Sequence, residues 1–241
     1  MAVIGSDLHW YLSSSGASEG GAKSATEITD AVDNNVFSDV SDSARVAGGS
    51  QIRKIFIANE NGVSSYLSHG IWVHVVPTNA TPYIGLGFDD SGDADSAAGS
   101  LDDFTVAAKV SLSSDGADTR TCTVYGLVGT TPTAEAVVLA GAAAVLTTAT
   151  FDHVYAVHAD AISGSRTVTI KQGSGGTTRG TIAVGLTNCF HWIASATSKS
   201  TGLRMPALPT GQAEGIWERF DWAPDVGAVT GNDFALKTEE I

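Results

Sequence analysis

Residues 104–184 decide the fold. They read Phe104-Thr-Val-Ala-Ala-Lys-Val-Ser-Leu, Arg120-Thr-Cys-Thr-Val-Tyr-Gly-Leu-Val, Ala136-Val-Val-Leu, Val154-Tyr-Ala-Val-His-Ala, Arg166-Thr-Val-Thr-Ile-Lys and Gly180-Thr-Ile-Ala-Val. Small-residue turns separate the runs. Within most of them apolar and polar residues alternate, the period of a half-buried antiparallel strand. Several short strands at regular spacing predict a compact β-sandwich. The stretch Ala134–Leu146 has helix-forming alanines, but Val137, Val138 and Leu139 favour a strand.

Working outward, the first hundred residues carry further strand candidates. These are Leu8-His-Trp-Tyr-Leu, Gln51-Ile-Arg-Lys-Ile-Phe-Ile-Ala-Asn, Gly70-Ile-Trp-Val-His-Val-Val and Tyr83-Ile-Gly-Leu-Gly-Phe. Asn61-Gly62 predicts a turn between the second and third. Ala47-Gly-Gly-Ser reads as a linker. Past Trp192 come Ile193-Ala-Ser-Ala-Thr-Ser, Gly215-Ile-Trp-Glu-Arg-Phe-Asp-Trp and Asp233-Phe-Ala-Leu-Lys-Thr. This last part is too short to stand alone and needs strands from the first. The expectation is an all-β protein: an antiparallel β-sandwich (Ig-like or jelly-roll-like) as outer domain, formed by residues 1–100 and 191–241. A second β-sandwich, residues 101–190, is inserted in one of its loops, since insertions succeed at exposed loop tips.

Composition agrees. The 241 residues include 27 glycines, only 16% are charged, and 43% are hydrophobic. That suits a turn-rich β protein and argues against wholesale disorder. The net charge of −13 repels phosphate backbones, so no nucleic-acid partner is expected. No apolar run is long enough to span a bilayer as a helix, and Met1-Ala-Val-Ile-Gly-Ser-Asp-Leu-His has neither the basic nor the apolar region of a secretory signal. A cytoplasmic product, released by lysis, is the expectation. Cys122 and Cys189 each sit in an apolar strand-like run and are expected to be buried free thiols.

Strings that mimic chemistry fail on context. Gly16-Ala-Ser-Glu-Gly matches the G-x-S-x-G nucleophile string, but neither the strand before it nor the helix after it is suggested. Gly16 to Ser24 misses a phosphate-binding loop by one residue, Ala22. Asp89, Asp90, Asp93 and Asp95 are weak Ca²⁺ candidates without EF-hand spacing. His69/His74 and His153/His158 are five apart rather than the four of a helical metal pair. No catalytic residue, no metal site and no cofactor is expected, and the chain reads as a non-enzyme. Trp10, Tyr11, Trp72, Trp192, Trp217 and Trp222 are candidates for a glycan platform. Trp72 and Trp217 lie mid-strand, as core or as protein–protein interaction residues.

One resemblance goes further. Asp7-Leu-His-Trp-Tyr-Leu-Ser, Asn34-Asn-Val-Phe-Ser-Asp-Val, Arg53-Lys-Ile-Phe-Ile-Ala-Asn, Ile71-Trp-Val-His-Val and Leu208-Pro-Thr-Gly-Gln-Ala-Glu-Gly-Ile-Trp-Glu-Arg resemble elements of tailed-bacteriophage structural proteins. Cys122-Thr-Val-Tyr-Gly and Phe151-Asp-His-Val-Tyr-Ala-Val are similar to β-sandwich modules of phage virion proteins. Phe220-Asp-Trp-Ala-Pro departs from the usual end of the last element. The resemblance implies a capsid-decoration or tail/baseplate component, located in the virion and made in the bacterial host cytoplasm. Its implied partners are other virion proteins and further copies of itself. The alternative function is a receptor- or glycan-binding adhesion module of the same particle.

Overall fold

The computed structural model describes residues 3–14, 21–29, 32, 35–75, 83–89, 99–161, 163–194, 198–224 and 235–240. The chain is nearly all β, with several antiparallel sheets of sandwich type. It divides into two compact units. One comprises Met1–Leu86, Gly92–Ala94 and Ile193–Ile241; the other comprises Gly87–Ser91 and Asp95–Trp192.

The split unit contains β1 (Leu8–Ser13), β2 (Lys23–Glu27), β3 (Gly49–Asn59), β4 (His69–Val75) and most of β5 (Tyr83–Asp89). The continuous unit contains β6 (Gly99–Ser100), β7 (Val110–Ser114), β8 (Thr121–Val128), β9 (Thr131–Val138), β10 (Val145–Leu146), β11 (His153–Ala159), β12 (Val168–Gln172), β13 (Thr178–Ile182) and β14 (Asn188–Phe190). The chain then returns to the split unit with β15 (Ile193–Ala194), β16 (Leu203–Met205), β17 (Ala213–Trp222) and β18 (Ala235–Glu240).

In the split unit, a six-stranded sheet runs β15-β5-β17-β3-β1-β2 and a three-stranded sheet runs β16-β4-β18. The C-terminal strands supply what the first part lacks. β17 pairs with β3 from Ala213 opposite Ala58 to Trp222 opposite Gly49, and β18 and β16 flank β4. Residues 54–59 of β3 are buried on both faces of the sheet. The Asn61-Gly62 turn is present: Asn61 Oδ1 accepts bonds from the amides of Val63 (2.9 Å) and Ser64 (2.8 Å). It does not close a hairpin, because β3 and β4 belong to different sheets.

The Ala47-Gly-Gly-Ser segment is not a linker. A short helix, α1 (Asp42–Ala47), precedes it, capped by Ser41, whose hydroxyl accepts the Ala44 amide at 3.3 Å. Gly48 ends the helix at φ 71°, and a Cβ there would meet the Pro224 nitrogen at 2.9 Å. Gly49 already begins β3.

The continuous unit pairs a four-stranded sheet, β10-β7-β12-β13, with a five-stranded one, β6-β14-β11-β8-β9. Their inward residues, among them Val110, Leu112, Val124, Phe151, Val154, Val157, Val168, Ile170 and Ile182, form one core. Each fully buried side chain of this size contributes about 1.5–3 kcal/mol, so this core dominates the unit's stability. A bulge in β11 keeps the pattern in register: Val154 opposes Gly126, Ala156 opposes Tyr125, and Tyr155 is the extra residue. Without the extra residue Val154 and Val157 would face opposite sides of the sheet. Gly126 accommodates the bulge, since a Cβ there would lie 2.1 Å from the His153 carbonyl.

The strand expected from Phe104 begins only at Val110. Side chains claim the earlier backbone. Asp103 accepts the Phe104 and Val154 amides, and the Gln172 amide donates to the Val106 carbonyl.

Candidate functional site

The acidic loop weighed for Ca²⁺ falls at the margin of the described residues. Asp89 ends β5, and Asp90, Asp93 and Asp95 lie outside the described residues. The Gly16-x-Ser18-x-Gly20 string also lies outside them. Among the described residues, no group of three or more His, Cys, Asp or Glu side chains is placed to hold a metal ion. Trp72 and Trp217 are 6% and 1% exposed. Both indoles are packed within the sheets of the split unit.

The register of the split unit assembles a polar cluster that sequence spacing does not reveal. β1 lies between β2 and β3, with Tyr11 opposite both Glu27 and Phe56. His9 Nδ1 stands 2.6 Å from Glu27 Oε1, and its Nε2 stands 3.1 Å from the Ser6 carbonyl and 3.8 Å from Glu60 Oε2. The bond to Glu27 raises the His9 pKa, aided by Glu60 and opposed by partial burial. Tyr11 donates to Glu60, and that bond holds the phenol up to about 12. Lys23 Nζ sits 3.3 Å from the Tyr11 ring centroid. Both imidazole nitrogens thus face acceptors, and the phenol stays protonated. The cluster fastens β2 and the residues after β3 to β1.

His153 Nδ1 lies 2.7 Å from Asp103 Oδ2, the orienting half of a triad. Among the described residues no hydroxyl or thiol bonds its other nitrogen. The thiols are elsewhere. Cys122 opposes Ala159 on one side of β11 and Cys189 opposes Val157 on the other. Two strand spacings, about 9.6 Å, exceed the reach of a disulfide, roughly 7 Å between Cα atoms. Neither thiol is in a disulfide, both are buried, and burial pushes each up to about 12. They are inert as nucleophiles at neutral pH.

Two further groups are set apart by burial, which sequence spacing does not show. His69 is fully buried, and burial lowers its pKa to about 4; its Nε2 lies 4.0 Å from Glu214 Oε2 across the two sheets of the split unit. Glu218 is 1% exposed, and its Oε2 has no hydrogen-bond partner among the described residues. Desolvation raises its pKa to about 8. The signal for it was Glu214-Gly-Ile-Trp-Glu218, in which both carboxylates share a face with Ile216.

No family model, curated protein or solved structure matches this chain.

Proposed function

We propose that this chain is a non-enzymatic structural protein of a tailed-phage virion, assembling by protein–protein contacts on the capsid surface or in the tail. The carrying observation is how its reactive side chains are used. The thiols are sealed in a core, the His9 cluster binds strands together, and the His153–Asp103 pair bonds the backbone of β11. An all-β architecture of packed sheets supports the same reading, as does the strand-pattern resemblance of the N- and C-terminal segments. Its partners on this reading are other virion proteins and further copies of the chain, without nucleic acid.

The adhesion alternative has no specific observation in its favour. The exposed large apolar side chains among the described residues are Ile, Val and Leu, with no aromatic, whereas glycan platforms present aromatic faces. Immunogold electron microscopy with an antibody raised against residues 105–184 tests the proposal. Label at regular positions on heads or tails is the expected result; unlabelled particles that also lack the chain by mass spectrometry would remove it.

A further inference from the structure

The sheet edges of this protein are treated unequally. An open edge offers unpaired backbone groups to any passing strand, and proteins blunt such edges by shortening or charging them. β6, β10 and β15 are two residues long, and β16 is three residues long with Arg204 at its centre. β2 carries Lys23 and Glu27, β13 carries Arg179, and β18 carries Lys237, Glu239 and Glu240. β9 is blunted least, by Pro132 near its start. It is eight residues long, ends the five-stranded sheet, and reads Thr-Pro-Thr-Ala-Glu-Ala-Val-Val.

Its one charge is turned away from the edge. Glu135 accepts the amides of Thr148 and Ala149 (2.9 Å for the latter), on the chain segment that follows β10. Between Arg120 and Asp152, Glu135 is the only charged residue. The Leu139 amide donates to the Arg120 carbonyl at 2.9 Å, on the β8 side. By the alternation of a strand, Ala134, Ala136 and Val138 therefore direct their amides and carbonyls to the open side. The side chains of these three are exposed, Val138 by 60%. Pro132, which lacks an amide proton, shares their parity but lies outside this window.

We infer that β9 is the strand through which two copies of this chain associate. They pair antiparallel with Ala136 on the two-fold axis, and the two five-stranded sheets become one. The register is self-complementary: Ala136 meets its own equivalent, and Ala134 meets Val138 of the second copy, as an isologous contact requires. Charge selects the place. Copies of a chain with net charge −13 repel one another, and this uncharged flank is where they approach at least cost. The inference rests on reading the chain as an assembling protein.

The test uses the full chain. Opposed Cα atoms in a hydrogen-bonded antiparallel pair are about 5.5 Å apart, within disulfide reach. Mild oxidation of Ala136→Cys is expected to give a covalent dimer, while Val184→Cys, on another exposed site, gives no covalent cross-link. The buried native thiols take no part. In sedimentation velocity the wild type is expected to be dimeric. Ala136→Lys is expected to be monomeric and still folded, with a melting temperature that no longer depends on protein concentration, because position 136 does not bond β8. A monomeric wild type, a dimer that survives Ala136→Lys, or Ala136→Cys cross-linking only to a different protein would overturn the inference. Particle labelling reports separately: a β9 dimer absent from particles removes the virion reading and leaves the interface standing.

Discussion

The two units bury different chemistry. In the continuous unit, the core between the sheets is aliphatic and aromatic apart from two thiols. Among its described residues the one buried charged side chain, Asp118, is tied to Arg120 at 2.8 Å, and that bond holds its carboxyl below the usual range. The split unit buries Lys54, His69, Glu214 and Glu218 in its sheets. The difference teaches that one unit is stable by simple apolar burial, while the stability of the other depends on protonation.

The largest expected effect lies in the apolar core. Phe151 is fully buried, and Phe151→Ala should cost about 3–5 kcal/mol. Hydrogen exchange should report the loss in peptides of residues 99–192; loss of protection confined to residues 49–59 would break the comparison.

The next effect sharpens it through pH. Glu218 has a folded pKa of about 8 against an ordinary 4.5. It favours folding fully below 4.5, and that advantage is lost as pH rises through 8. His69, at about 4 against 6.5, does the reverse: it favours folding above 6.5 and loses that as pH falls through 4. The two slopes oppose each other between 4.5 and 6.5, so protection of the split unit should be level there and fall towards 8. Glu218→Gln should remove the alkaline fall. The gain is on the order of 3–5 kcal/mol near pH 9 and below about 1 kcal/mol near pH 5. Equal gains at both pH values would show that Glu218 is not buried as a neutral acid.

The smallest effect is chemical. Cys122 and Cys189 should resist a thiol reagent at pH 8 until the continuous unit unfolds, with a labelling rate that follows global opening. Rapid labelling in the native state would show that this core is open to solvent.

Period-two alternation made β8 and β12 legible in the sequence, because a strand half-buried in a sheet writes its two faces into alternate residues, whereas β3 and β11, buried on both faces along much of their length, read as apolar and β-branched runs. Short strands such as β6, β10 and β14 hold too few residues to show a period. The helix at Asp42–Ala47 is a single capped segment, too short for a helical repeat to register. The candidate sites were less legible. His9, Glu27 and Glu60 are far apart in the chain and meet only through the register of β1 with its two neighbours.

The sequence by itself determined that the protein is all-β. That property follows from residue type and local alternation. Tertiary structure alone decided that Glu218 and His69 lie where water does not reach, and that β9 ends a sheet with its one charge turned aside. Burial and edge position depend on which strands become neighbours, and strand pairing joins residues that no local pattern connects.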